Sequence, residues 1–141
     1  MEAVPTESDW RSEPWELDTP YAYANFSGKS SQEAFDLFKF NALGFQEDLM
    51  SMPKACFFFY VGAYMAYLLS GDSEGDSDGA NCFFGLIEIR FEEIRSRRGL
   101  LNAVKRVLSH LEKNQLWYDA EVEIYGSFVE RARKARSELR G

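Results

Sequence analysis

The chain has little of the chemistry that most catalytic and metal sites require. Its 141 residues include one histidine, His110, and two cysteines, Cys56 and Cys82. The cysteines stand 26 positions apart in apolar surroundings, and neither has a second ligand at a zinc-site spacing. His110 has no serine or cysteine at a recognisable motif spacing. We therefore expect no catalytic residue, no cofactor and no metal ion.

The sequence also shows neither a secretory signal nor a membrane span. The opening segment MEAVPTESDW has neither the basic region nor the apolar region that directs export. The uncharged run at residues 55–69 has 15 residues, whereas a helix needs about 20 to cross the hydrocarbon of a bilayer. Together with cysteines that behave as buried free thiols, these features predict a cytoplasmic protein with no membrane partner.

The sequence predicts neither nucleotide nor nucleic-acid binding. The segment SGKS at residues 27–30 has the ending of a phosphate-binding loop, but the first glycine of that motif would fall on Tyr23 and no strand precedes it. Residues 1–79 carry 14 acidic and 4 basic side chains, whereas residues 80–141 carry 9 acidic and 12 basic ones. The acidic half argues against contact with a nucleic-acid backbone.

Apolar and aromatic side chains are abundant. They make up 45% and 16% of the chain, which is ample for a core in a protein of one-domain size despite a net charge of -7. Three of the four prolines lie within residues 1–29 and deny that segment a long helix. We predict an irregular, aromatic N-terminal arm with at most one short turn, starting near Ser12. The arm either packs on the helical domain of residues 30–141 or binds a partner.

Helical signals begin where the arm ends. Ser30 and Glu33 have the spacing of a capping box, so a helix is expected from there to about Phe40. Pro53 suits the first turn of a second helix, residues 53–70. Because this second helix is apolar nearly all round, we predict that it is central and packs against neighbours on at least two sides.

Three amphipathic helices are predicted after the central one. Their apolar positions recur with a period near 3.6, and they begin near Asp78, Leu100 and Asp119. In the last of them, the alternation at residues 120–125 is equally typical of a short strand. The predicted fold is all-α: a compact single-domain bundle of about five helices around the central helix.

Four carboxylates alternate with small residues in the segment LLSGDSEGDSDGAN, residues 68–81. They are Asp72, Glu74, Asp76 and Asp78. A calcium-binding EF-hand needs a bidentate glutamate at position 12 of its loop, but that position is Gly85 counted from Glu74 and Phe83 counted from Asp72. The plain interpretation is a solvated helix connection in which Asp76 or Asp78 caps the next helix.

The alternative interpretation is an acidic surface that binds a partner. The predicted partner-binding residues are Glu47, Asp48, Asp72, Glu74, Asp76 and Asp78. Carboxylates in this number attract a basic protein and accelerate its association by charge steering.

One stretch of the chain resembles known small proteins. Residues 33–70 read EAFDLFKFNALGFQEDLMSMPKACFFFYVGAYMAYLLS, an acidic helix followed by a proline-started, tyrosine-rich helix. The stretch resembles small acidic bacterial proteins of uncharacterised families and, broadly, the immunity proteins of bacterial toxin systems. The resemblance implies a stoichiometric protein partner and no catalytic activity.

Two functions of different class follow from these patterns. The first is a non-catalytic interaction module, immunity-protein-like, which binds a basic partner through its acidic surface. The second is a small-molecule-binding or enzymatic helical domain with a pocket lined by Tyr60, Tyr64, Tyr67 and Trp117.

Overall fold

A computed structural model describes residues 3–140 and consists of helices and their connections. In chain order the helices are α1 Glu7–Trp10, α2 Thr19–Phe26, α3 Ser31–Met50, α4 Lys54–Leu69, α5 Ser77–Ser96, α6 Arg98–Lys113, α7 Val122–Tyr125 and α8 Phe128–Arg140. A 3₁₀ turn, Gly71–Ser73, lies between α4 and α5. Within the described range there is no strand, and five helices have 13 or more residues. This confirms the predicted all-α fold.

The contacts divide the chain into two compact units, the first ending at Tyr67 and the second beginning at Leu68. The core of the first unit is aromatic. The ring of Phe26 lies 5.6 Å from that of Phe38 and 5.1 Å from that of Tyr60, and Phe38 stacks on Tyr64 at 5.1 Å. All four side chains are fully buried. Burial of side chains of this size stabilises the unit by about 2 kcal/mol each relative to exposure.

The N-terminal arm is more helical than its prolines predict. Instead of one turn near Ser12 it forms α1 and α2, and it packs within the first unit. Thr6 and Asp9 form a capping box at the start of α1, and Pro20 lies in the first turn of α2, where its missing N–H costs nothing. Because Trp10 and Phe26 are fully buried, the arm is part of the core in cis.

Helix α3 begins as predicted and continues past its predicted end. The Ser30 side chain accepts from Glu33 N and the Glu33 side chain accepts from Ser30 N, which confirms the capping box. Near the predicted end, Asn41 leaves the helical conformation with φ -161° and ψ 79°. Its Oδ1 atom accepts from Gly44 N at 3.1 Å, so the side chain caps a second helical segment that runs to Met50.

Helix α4 is the predicted central helix, found at Lys54–Leu69 instead of residues 53–70. Most of its side chains are buried, while Gly62 and Ala66 mark an exposed stripe. Its first turn depends on the arm, since Glu13 Oε2 accepts from Lys54 N at 2.6 Å. No helix within residues 3–140 has both the length and the apolar character that a membrane span requires.

The second unit is built on α5, α6 and α8, which pack against one another. The ring of Phe84 on α5 meets that of Phe128 on α8 edge to face at 5.1 Å. The sequence left residues 120–125 open as either helix or strand. In the structure, residues 122–125 form the short helix α7. Gly126 follows with φ 76°, so the predicted last helix is interrupted and α8 starts at Phe128.

Candidate functional site

Two of the four loop carboxylates serve the local structure. Asp76 Oδ1 accepts from Gly79 N at 2.9 Å and caps α5, as the sequence predicts for Asp76 or Asp78. Asp78 Oδ1 accepts from the Tyr125 hydroxyl at 2.8 Å. Asp72 and Glu74 are exposed on or beside the 3₁₀ turn. The loop therefore joins two helices, and Asp76 and Asp78 are used in doing so.

The loop does not bring its carboxylates together as a set of metal ligands. Within residues 3–140, no group of three or more His, Cys, Asp or Glu side chains is placed to hold a metal ion. Ser73, at the centre of the loop, is fully buried, and its hydroxyl bonds to Leu68 O at 3.0 Å and Ser70 O at 2.9 Å. The turn is thus fixed by its own hydrogen bonds.

The other two predicted residues, Glu47 and Asp48, lie in the last turn of α3. Asp48 is half-buried and accepts from Asn25 Nδ2 at 2.8 Å. Burial raises the pKa of the Asp48 carboxyl, the bond from Asn25 opposes that rise, and the negative charges of Glu47 and Asp18 add to it. We call Asp18, Glu47 and Asp48 the carboxylate cluster.

Two members of the carboxylate cluster, Glu47 and Asp48, lie at the end of α3 that is unfavourable for negative charge. The carboxyl end of a helix carries a partial negative charge, so a carboxylate there is unfavourable. The last turn of α3, which lies wholly in the described range, contains no basic side chain to balance it. Glu47 and Asp18 are exposed, so the cluster presents like charges to solvent.

A buried threonine holds the cluster together. The hydroxyl of Thr19, at the start of α2, donates to Ser51 O at 2.9 Å and accepts from Glu16 N at 3.0 Å. Because Ser51 directly follows α3, this bridge holds Asp18 next to the end of that helix. The neighbouring Leu17 is 89% exposed and gives the same surface an apolar side chain.

The six predicted partner-binding residues are thus distributed over both units. Glu47 and Asp48 belong to the first, and Asp72, Glu74, Asp76 and Asp78 to the second. Sequence reasoning missed Asp18, because its neighbour Asp48 is about thirty positions away and only the docked arm brings the two together. The sequence does contain a signal for the start of α2 beside Asp18, since Thr19 followed by Pro20 is a pair typical of a helix start.

The tyrosines of the alternative pocket belong to the packed core. Tyr60 and Tyr64 are fully buried and Tyr67 is 3% exposed. Neither of two surface concavities in the described part is lined by them or by Trp117. One, of about 290 Å³, is lined by Ser31, Gln32, Phe35, Phe59, Gly62, Ala63 and Ala66. The other, of about 100 Å³, is lined by Phe84, Glu88, Arg131, Lys134, Ala135 and Glu138.

Cys56 is buried, and so is one ring nitrogen of His110, whereas Cys82 is half-buried. Burial raises the pKa of the Cys56 thiol to about 12, and the charges of Asp9 and Glu13 act in the same direction. The thiolate of such a group is scarce at neutral pH. The Nε2 atom of His110 is buried with no hydrogen-bond partner among the described residues. The His110 ring packs edge to face against Trp117 and Tyr118.

Comparison with known proteins gives no relative for this arrangement. No protein-family model, no curated protein and no solved structure matches the chain.

Proposed function

We propose that the chain is a non-catalytic protein-interaction module that binds a basic protein through carboxylates of its first unit. The observation that carries the proposal is the crowding of Asp18, Glu47 and Asp48 at the carboxyl end of α3. A half-buried carboxylate whose neighbours carry the same charge costs folding free energy, and a lysine or arginine from a partner would offset that cost. Surfaces that destabilise the free protein in this way are typical of binding sites.

The charge of the whole first unit supports the same proposal. Residues 1–67 contain 10 acidic and 4 basic side chains, whereas residues 68–141 contain 13 and 12. The first unit is therefore net -6 and the second net -1. A field of one sign steers an oppositely charged protein toward the surface and raises its association rate. Exposed Leu17 beside the cluster supplies apolar contact once the partner has arrived.

The resemblance of residues 33–70 to bacterial immunity proteins supports a stoichiometric partner. In that role the chain would act in the cytoplasm of a bacterium by covering a basic protein, without turning over a substrate. Of the residues predicted from the sequence, Glu47 and Asp48 are central to this surface, and Asp72 and Glu74 are exposed acids of the second unit.

The test is to measure the affinity for the partner at a low and a high salt concentration. Tagged protein purified gently from its native host identifies a stoichiometric partner, which is then produced separately. We compare the wild type with Asp18→Asn/Glu47→Gln/Asp48→Asn at about 50 mM and about 500 mM NaCl. We expect the triple variant to bind at least about tenfold more weakly at low salt, mainly through a slower association rate.

A matched control has the same change of charge elsewhere. Glu92→Gln/Glu121→Gln/Glu123→Gln also removes three carboxylates, and all of them are exposed and lie in the second unit. This control should keep its affinity within about twofold of the wild type. An affinity that is insensitive to salt, or equal losses in the two triple variants, would reject the carboxylate cluster as the binding surface.

A further inference from the structure

The arm contains a cation site that is occupied by a side chain of the same chain. The guanidinium carbon of Arg11 lies 3.9 Å from the ring centre of Trp15 and 5.6 Å from that of Tyr23. On its remaining side, Arg11 Nε donates to Glu7 Oε1 at 3.1 Å. Two aromatic rings and a carboxylate are the groups that bind a guanidinium in proteins. We call Glu7, Trp15 and Tyr23 the aromatic clasp.

Contacts other than those of Arg11 hold the aromatic clasp in place. Trp15 Nε1 donates to Trp10 O at 2.6 Å, and the Tyr23 hydroxyl donates to Glu7 Oε2 at 2.5 Å. Trp10 is fully buried and packs edge to face against Tyr23 at 5.4 Å. The rings of Trp15 and Tyr23 lie 5.4 Å apart at an angle of 45°. The clasp is therefore preorganised by the core and by bonds between its own members.

Arg11, by contrast, is more than half exposed. The side chains of Arg11 and Glu7 are 56% and 59% exposed, and the pair has the i, i+4 spacing of an ordinary surface ion pair. Pairs of this kind contribute little because water competes for both partners. The guanidinium can leave the clasp without disturbing any buried group.

We propose that the aromatic clasp is a binding site for an arginine side chain of a partner protein, and that Arg11 is its internal occupant in the free chain. The inference rests on the proposed function in taking the partner to be basic, and it names the side chain that is recognised. Arginine fits better than lysine because its planar guanidinium stacks on Trp15 and at the same time directs an N–H at the Glu7 carboxylate. The partner's arginine must displace Arg11, so the intramolecular contact weakens binding until it is broken.

The experiment uses N-acetyl-arginine methylamide as the probe and needs no partner protein. The ¹⁵N-labelled full chain is titrated with the probe, and the signals of the Trp15 indole N–H and of the backbone amides of residues 7–23 are followed. We expect Arg11→Ala to show saturable shifts at about fivefold lower probe concentration than the wild type, because the competing guanidinium is gone. N-acetyl-lysine methylamide should shift the same signals less at every concentration.

Two further variants guard against an indirect effect. Arg11→Gln keeps the three side-chain carbons and a polar end while removing the charge, and it should behave like Arg11→Ala. Glu7→Gln/Arg11→Ala keeps both rings and loses the carboxylate, and it should lose most of the preference for arginine over lysine. Unshifted signals in Arg11→Ala, or equal responses of Arg11→Ala and the wild type, would overturn the inference.

The failure of this inference can be told apart from failure of the proposed function. The titration tests the clasp with the arginine probe and no partner protein. The carboxylate cluster is tested by the salt dependence of partner affinity and by substitution of Asp18, Glu47 and Asp48. A partner that binds through the cluster but is unaffected by Arg11→Ala and Trp15→Leu would overturn the clasp alone. Arginine binding at the clasp without a salt-sensitive partner would overturn the proposed function alone.

Discussion

Tyr60, on α4, reaches the end of α2 with its hydroxyl, which lies 2.7 Å from Phe26 O and 2.8 Å from Lys29 O. Phe26 O also accepts from Lys29 N at 3.0 Å, so the hydroxyl joins a turn that already has one bond of its own. This contact links the N-terminal arm to α4 through groups that are shielded from water.

Removal of this hydroxyl should destabilise the first unit. We predict that Tyr60→Phe lowers the free energy of unfolding by about 1 kcal/mol, because the carbonyl of Lys29 loses the bond while the ring remains packed. Tyr21→Phe is the control, since Tyr21 is 67% exposed and should change little. Urea denaturation of both variants checks the prediction, and equal midpoints would contradict it.

Neutralising Asp48 should stabilise the protein at neutral pH. Burial raises the pKa of this carboxyl in the folded state above its ordinary value of 3.8, so the fold binds the proton more tightly than the unfolded chain does. Stability is therefore lost as the pH rises from about 3.8 through the raised pKa. Asp48→Asn keeps an acceptor for Asn25, and it should raise the melting temperature by roughly 2 °C at neutral pH.

The same variant should lose its advantage in acid, where Asp48 is protonated and neutral. We expect the melting temperatures of Asp48→Asn and the wild type to converge near about pH 3. Asp36→Asn, on the exposed side of the same helix, should leave the melting temperature nearly unchanged at both pH values. A gap that persists in acid would assign the effect to packing instead of charge.

The cap of α5 gives a third prediction. Asp76→Ala removes the acceptor of Gly79 N and should lower the free energy of unfolding by about 1 kcal/mol. Asp76→Asn should retain most of the stability, because asparagine is also a good cap. Glu74→Ala, which removes an exposed acid from the same loop, serves as the control. Comparable losses in Asp76→Ala and Glu74→Ala would show that loop charge matters more than the cap.

Two glycines should respond in opposite directions to alanine. A Cβ atom at Gly62, inside α4, meets nothing within 4 Å, so Gly62→Ala should raise the free energy of unfolding by about 0.5–1 kcal/mol. Gly126 has φ 76°, a backbone conformation that is unfavourable for residues with a Cβ atom. Gly126→Ala should therefore lower the free energy of unfolding by roughly 1–2 kcal/mol. Thermal unfolding of the pair is the measurement. The same sign for both would contradict the assigned backbone conformations.

The parts of the fold that could be predicted from the sequence depend on neighbouring residues. Ser30 with Glu33 marked the start of α3, and Pro53 marked the start of α4 to within one residue. Asp76 could be identified as one of two candidate caps because its partner, Gly79, is three positions away. Signals of this kind involve residues within one helical turn of each other, so they can be recognised in a single sequence.

The parts that escaped prediction depend on distant residues. Pro20 was interpreted as a helix breaker, yet it lies in the first turn of α2, where the ring is tolerated. The capping box of Thr6 and Asp9 lies among prolines and was not identified from the sequence. The role of Asp78 depends on Tyr125, which follows 47 positions later, and the charge beside Asp48 depends on the docked arm. Such contacts arise only after the chain has folded back on itself.

The bond between Glu13 and the first turn of α4 spans 41 positions of the chain. During synthesis Glu13 is therefore added to the chain well before the backbone N–H that it caps. Trp10 and Phe26, which are fully enclosed in the folded protein and pack against Tyr60, can complete their burial only after α4 has been synthesised. The arm precedes α4 in the chain, yet it completes its packing only when α4 folds against it.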